Sequence, residues 1–265
     1  MQRTGLTLLT HGGAGSKNEY ADGSMRAATA GVKLWQSDAT LADAMCCAVV
    51  ELENDPRFNA GIGSHARSDG VMQMDAAMMT SLGQFGAVSC VEGFKNPIAI
   101  ARAVLESEYN LLCGRGAEEF ARDRQCEPYP ADAPTHTSMD FSNEESEDTV
   151  GCVAFDGDLF VAGLSTGGTH QSHPGRVGDV PLIGCGLYAG TEGAIACTGS
   201  GEAITLQMTA YRAYQLALAG KSPQAILETT LGWFDSDDAF GVILITRDGF
   251  AGGANRSMAW SSVRV

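Results

Sequence analysis

Four short stretches in the second half of the chain concentrate hydroxyls, glycines and charge. They are Asp148-Thr149-Val150-Gly151, Ser165-Thr166-Gly167-Gly168, Pro174-Gly175-Arg176-Val177-Gly178-Asp179 and Thr198-Gly199-Ser200-Gly201-Glu202. Strand-like apolar runs lie between them. This pattern suits a threonine held at the start of a strand as a nucleophile, with small polar loops converging on it. Threonine oxygen is a weak nucleophile at neutral pH unless a base lies beside it, and an N-terminal threonine can use its own α-amine. Thr149 gains a free amine only when the chain is cut before it. The sequence therefore reads as a precursor that breaks its own backbone between Asp148 and Thr149.

Elements that could position these residues follow from local pattern. Leu6 to His11 reads as a strand running into the Gly12-Gly13-Ala14-Gly15 turn. Met25 to Trp35 and Leu41 to Leu52 carry apolar residues at helical spacing, with Asp38 and Thr40 as candidate caps. Val71 to Asp75 and Phe85 to Val91 read as strands, and Pro97 to Leu105 as a helix with proline in its first turn. Glu127 to Asp148 holds Pro128, Pro130 and Pro134, many acids and no apolar period. Such a segment cannot bury enough surface to offset its ordering entropy, and reads as a linker ending at Thr149.

Beyond it, Val150 to Phe155 and Leu159 to Leu164 form a hairpin around Asp156-Gly157-Asp158. Leu182 to Ile183 and Ala194 to Thr198 extend the sheet, and Glu202 to Ala219 reads as one long helix. Another helix opens at Lys221-Ser222-Pro223, and Phe240 onward closes the chain as a second hairpin. Strands at both ends with helices grouped between them imply stacked sheets covered by helices, not a βαβ repeat.

Composition narrows the partners. The 265 residues are 44% apolar with a net charge of −15, which argues against nucleic acid or an anionic membrane. No apolar run reaches the roughly 20 residues of a membrane span. The first ten residues are too short and polar for a signal peptide, so a cytoplasmic address is expected. The 8 cysteines form no CxxC pair and read as small buried hydrophobes, not as disulfides or metal ligands. Cys152 is the one expected near the nucleophile. His170 and His173 share a loop without a third ligand, so no zinc site is expected.

Taken together with His11-Gly12-Gly13-Ala14-Gly15, the run Asp55 to Ser64, Met74-Asp75-Ala76-Ala77, Asn96-Pro97-Ile98 and Asn255 to Ala259, the four stretches carry a resemblance. The chain resembles the plant-type asparaginase and isoaspartyl aminopeptidase family of N-terminal-nucleophile hydrolases. That resemblance implies an α+β fold, a four-layer αββα sandwich spanning 1–265 as one domain. It implies self-cleavage into an α subunit of 1–148 (linker about 127–148) and a β subunit of 149–265. Thr149 matches the nucleophile, Thr166 a second threonine beside it, Thr198 and the Gly199 N–H the oxyanion hole, and Asn59 an asparagine close to this centre. The implied substrates are L-asparagine and β-aspartyl dipeptides, and the implied assembly is a homodimer of αβ units.

Substrate capture has its own chemical logic. A β-aspartyl group presents an α-carboxylate, which suits the Arg176 fork, and an α-ammonium, which suits Asp179. Val177, Gly178, Thr198, Gly199, Ser200 and Gly201 would complete that pocket. The resemblance also implies a sodium or potassium ion wrapped by the backbone carbonyls of Leu52, Glu53, Asp55, Phe58, Ala60 and Ile62. Two departures stand out: Asp148 replaces the family's usual glycine, and Met79-Thr80-Ser81 replaces Met-Asp-Gly. They leave two alternatives, a glycosylasparaginase-like amidase or an unprocessed, inactive binding protein.

Overall fold

Period-two alternation along the strands, with turn residues between them, builds two sheets. The computed structural model describes residues 3–130 and 149–265. In chain order the elements are β1 (Thr7–Ala14), α1 (Ala21–Gln36), α2 (Leu41–Glu53), β2 (Met74–Thr80), β3 (Phe85–Val91), α3 (Pro97–Leu105), β4 (Leu111–Cys113) and α4 (Gly114–Asp123). Then follow β5 (Val150–Phe155), β6 (Phe160–Thr166), β7 (Leu187–Gly190), β8 (Gly193–Gly199), α5 (Gly201–Gln207), α6 (Thr209–Leu218), α7 (Pro223–Leu231), β9 (Phe240–Thr246), β10 (Gly249–Ala254) and β11 (Met258–Arg264). A 7-stranded sheet has the order β11-β1-β5-β6-β2-β3-β4, antiparallel except for β3 beside β4. A 4-stranded antiparallel sheet has the order β10-β9-β8-β7.

Alternation sorts the side chains into three apolar clusters. Val150, Cys152 and Ala154 of β5 join Leu8, Met78 and Val161 against α1 to α4. Their neighbours of opposite phase, Leu9, Ala77, Val153, Ala162 and Leu164, meet Leu187, Ala194, Ala196, Ile243 and Ile245 of the smaller sheet. On the far side of that sheet, Ile195, Cys197, Val242 and Leu244 pack on Ile204, Ala213 and Ile226 of α5 to α7. Each large aliphatic side chain so buried stabilises the fold by about 1.5–3 kcal/mol. No helix among the described residues is long and apolar enough to cross a membrane.

Local chemistry bears out several expected boundaries. Thr40 caps α2 by accepting from the Asp43 N–H at 3.1 Å, and Ser222 caps α7 by accepting from Ala225 at 3.3 Å, with Pro223 next. Asp38 is no cap; it takes φ 68° in the turn before Thr40.

Other boundaries move, for identifiable reasons. β1 runs on through its glycines to Ala14, because the segment keeps pairing with β11 after a bulge. The strand expected over Val71 to Asp75 begins at Met74 and reaches Thr80. It is buried along its whole length between β6 and β3, which hides the alternation. The single helix expected over Glu202 to Ala219 breaks at Met208, which adopts φ 49°, ψ 48°. There the Ala210 and Tyr211 N–H groups donate to Cys185 and Gly184, not to the preceding turn.

Leu182 to Ile183 adds only an isolated bridge, and the strand proper is β7. β4 and α4 went unforeseen, since β4 is a half-exposed three-residue strand and α4 buries only Ala117 and Ala121. Glu127 and Tyr129 are not free linker: Lys95 N–H donates to the Glu127 carbonyl at 3.0 Å and Tyr129 N–H to Gly93 at 2.9 Å. Residues 131–148, including the acidic run that ends in Asp148, lie outside the described residues. Cys152 is fully buried, but on the helix-facing side of β5, opposite in phase to Thr149. All 8 cysteines are free; Cys152, Cys185 and Cys197 are buried and Cys113 is exposed.

Candidate active site

Strand phase brings the hydroxyls together. Thr149 stands one residue before β5, in phase with Val153, and so faces the space between the two sheets. Thr166 ends β6 in phase with Ala162 and Leu164, and Thr198 nears the end of β8 in phase with Ala194 and Ala196. Asp75, on β2, lies opposite Thr166 in the ladder. All four are buried. Thr149, Thr166, Arg176, Gly178, Asp179, Gly199 and Gly201 line one pocket, which Gly168, Thr169 and Val180 complete.

Other expected site residues stand outside that lining. Asn59 spends its amide on bracing: Nδ2 donates to the Gly168 carbonyl at 2.8 Å, and Oδ1 accepts from the His65 N–H at 2.9 Å. Its carbonyl accepts from Gly167 at 3.1 Å, so it fixes the turn that follows Thr166. The Thr166 hydroxyl oxygen accepts from the Gly168 N–H at 3.0 Å in the same turn. Thr198 Oγ1 accepts from the Ala14 N–H at 3.1 Å, a bond that leaves its O–H as a donor. Val177 is 38% exposed, and Ser200 precedes α5 with its N–H donating to the Ala239 carbonyl at 2.8 Å. Asp148 lies outside the described residues.

Gly199 is the position where backbone shape leaves no choice. Its φ is +129°, and a Cβ there would stand 1.9 Å from the Ala239 carbonyl oxygen. Both the left-handed conformation and the contact exclude a side chain. Gly199→Ala is expected to destabilise the fold by about 3 kcal/mol or more, the range of mutations that strain backbone and packing at once. Urea unfolding midpoints measure this, and an alanine tolerated within about 1 kcal/mol would mean that the strand end shifts freely.

The charges include a pairing with no pointer in the sequence, between Arg176 and Glu202. Arg176 does not pair with Asp179. Its Nε and Nη2 donate to the two carboxylate oxygens of Glu202 at 2.9 and 2.6 Å, which takes one edge of the fork. Glu202 belongs to a stretch already singled out, but no role had been given to it. Its carboxyl is held below the usual range by the hydrogen bond from Arg176. Asp179 is buried, and burial raises its pKa to about 7 against the pull of Arg176. Its Oδ2 has no hydrogen-bond partner, an unsatisfied acceptor in a pocket wall.

His11 lies opposite Gly151 on the neighbouring strand. Burial lowers its pKa to about 3, against a weak backbone contact with Thr149, and neither ring nitrogen makes a well-formed hydrogen bond. The imidazole is therefore neutral at physiological pH.

The loop after α2, where the resemblance implies a cation, is closely packed around its glycines. A Cβ on Gly63 would meet the Phe58 and Pro56 carbonyl oxygens at 2.0 and 2.9 Å, and one on Gly61 the Glu53 carbonyl at 2.5 Å. Both glycines are thus pressed against carbonyls of the loop, several of which accept internal bonds: Leu52 from the Asp55 N–H, Asp55 from Phe58, Phe58 from Ala60 and Ala60 from Gly63. The Ile62 carbonyl already accepts from the Tyr129 hydroxyl at 3.2 Å. Among the described residues, no group of three or more His, Cys, Asp or Glu side chains could hold a metal.

A sequence profile of the family described as Asparaginase matches residues 4–139 and 131–263. The chain belongs to the asparaginase family. Among family relatives, it is 36% identical to a rat protein named isoaspartyl peptidase/L-asparaginase, over 98% of this chain and 86% of that protein. It is 35% identical to a plant-type L-asparaginase of Pyrococcus abyssi, over 95% and 93%. A zebrafish (Danio rerio) isoaspartyl peptidase/L-asparaginase is 33% identical over 97% and 92%.

Proposed function

We propose that this asparaginase-family protein cleaves its own chain before Thr149 and then hydrolyses the side-chain amide of L-asparagine and β-aspartyl dipeptides, releasing L-aspartate. The observation that carries this reading is the shared pocket of Thr149, Thr166, Arg176 and Asp179. In it a hydroxyl nucleophile stands beside the two opposite charges that an amino acid's α-groups require.

In this reading the freed α-amine of Thr149, with an intrinsic pKa of about 8, takes the proton from its own Oγ. His11, which burial makes a very weak base, is a poor candidate for that task. The oxygen attacks the amide carbon, and the Thr198 O–H and Gly199 N–H donate to the developing oxyanion. Such donors typically lower a barrier by about 3–4 kcal/mol each. The C–N bond breaks, the amine leaves with a proton, and a β-aspartyl ester of Thr149 remains for water to hydrolyse. Thr166 orients the nucleophile, the free edge of Arg176 takes the α-carboxylate and Asp179 the α-ammonium. Asn59 acts from one step away, through the turn at Gly167 and Gly168.

The three apolar clusters, two helix-to-sheet and one sheet-to-sheet, support a four-layer αββα arrangement of the N-terminal-nucleophile type. The reading also includes one domain over 1–265, a dimer of αβ units, and a sodium or potassium ion among the carbonyls of Leu52, Glu53, Asp55, Phe58, Ala60 and Ile62. That ion would stiffen the loop that carries Asn59.

The test couples intact mass to turnover. Purified protein should show a fragment beginning at Thr149, and should release L-aspartate from asparagine and β-aspartyl dipeptides faster than from glycosylated asparagine. Turnover by a preparation that is wholly uncut would sink the reading.

A further inference from the structure

Arg67 is a fully enclosed cation, with 0% of its surface exposed, and the amide chemistry above makes no use of it. A guanidinium withdrawn from water must be matched by acceptors and by opposite charge. Its Nη1 donates to Ser172 Oγ at 2.6 Å and its Nη2 to the Gln73 carbonyl at 2.9 Å. Nη1 also lies 2.3 Å from where a Cβ on Gly168 would stand, so the side chain is pressed against the backbone of a pocket residue.

Neighbouring bonds tie the same two segments together. Ser68 N–H donates to the Ser172 carbonyl at 3.0 Å and Gln171 N–H to Ala66 at 3.1 Å. Gly175 N–H donates to Gln73 Oε1 at 2.7 Å, next to Arg176. Asp75, buried on β2, is the acid attracted to both Arg67 and Arg176, although burial raises its pKa to about 6 and it forms no direct ion pair with either. Asp75 Oδ1 accepts from the Cys90 N–H at 2.8 Å, which anchors one edge of the carboxylate.

We propose that Arg67 is a positioning residue for substrate capture. From beneath the 167–176 loop it fixes where Gly168 and Arg176 stand relative to Thr166, and Asp75 balances its charge. The inference rests on reading the pocket as an amide-hydrolase site. It predicts a split effect: Thr149, Thr198 and Gly199 ride on strands that Arg67 does not hold, whereas Arg176 rides on the loop that it does. Loss of Arg67 should therefore weaken binding more than it slows chemistry.

The experiment compares wild type with Arg67→Met, Arg67→Lys and Gln73→Ala, each checked by mass for cleavage before Thr149. Arg67→Met should raise KM roughly tenfold or more with kcat within about threefold, as misplacement of a substrate handle does. Arg67→Lys, which keeps the charge and part of the bonding, should fall between it and wild type. Arg67→Lys keeps the test decisive if Arg67→Met does not fold. Gln73→Ala removes the side-chain acceptor of the Gly175 N–H but keeps the carbonyl that Arg67 uses, and should raise KM in the same direction by loosening the same loop. Normal KM in both Arg67→Lys and Gln73→Ala overturns the proposal, as does a fall in kcat at unchanged KM. L-Aspartate binding by calorimetry separates the two readings. A wild type that binds aspartate without turnover refutes the hydrolase, and the variants' affinities then decide the positioning role.

Discussion

Thr149→Ala should leave a single uncut polypeptide on a denaturing gel and lower amide hydrolysis by roughly 10⁴-fold or more, the scale seen when a nucleophile is deleted. The reason is local. Thr149 is buried at the head of β5, in phase with the space between the sheets, and one oxygen serves both proposed reactions. In self-cleavage it attacks the carbonyl before it, and in catalysis the substrate amide. Alanine keeps the strand start and removes that oxygen together with one buried γ-methyl, so thermal unfolding should fall only modestly. Thr149→Ser restores the oxygen and should recover both cutting and part of the turnover. An alanine variant that still splits at this peptide bond would eliminate Thr149 as the agent of cleavage.

Asp179→Asn should lower kcat/KM by roughly 10²-fold or more, since truncating one member of a buried charge pair costs about 2–5 kcal/mol in binding. The same change should stabilise the folded chain at alkaline pH. Burial raises the Asp179 pKa to about 7, far above its ordinary 3.8, with Arg176 pulling it down and Asp75 and Glu202 pushing it up. The folded state therefore holds this proton more tightly than the unfolded state. Stability owed to it is complete below about pH 4 and is lost as pH rises through about 7. Asparagine has no proton to lose, so the variant should melt above wild type at pH 8, and the difference should fade towards pH 4. Wild-type KM should improve in the opposite sense, falling as pH rises through about 7 and the carboxylate forms to meet an ammonium. Melting curves in which the aspartate form is the more stable at pH 8 would show that Arg176 fully compensates the buried charge.

Much of the site was legible because its residues carry distinctive chemistry at short range. A hydroxyl beside glycines at a strand end announces itself in Thr149, Thr166 and Thr198, and turn residues announce the loops that lead to Arg176 and Asp179. What was hidden depends on contacts distant in sequence. Nothing local reveals that the Arg176 fork reaches Glu202, 26 residues away, or that Arg67 buries itself under Gly168. Nor does helical spacing over Glu202 to Ala219 reveal the break at Met208, because the carbonyls that draw off the next N–H groups belong to Gly184 and Cys185. Cys152 was misplaced for a simpler reason: proximity in sequence is not proximity in a strand, where neighbours of opposite phase face different layers. Bracing by Asn59 was likewise invisible, since its partner Gly168 lies in another element.

The order of the larger sheet carries a consequence for a chain nicked ahead of Thr149. β1, from the leading piece, is clasped between β11 and β5, both from the trailing piece, while β6 of the trailing piece is flanked by β2 of the leading one. The fragments are thus interleaved, not docked, and dilution alone should not part them. Separation would require ladders on both sides of β1 to open together, which amounts to melting the whole molecule. Halves produced independently should regain shape only by folding in each other's presence.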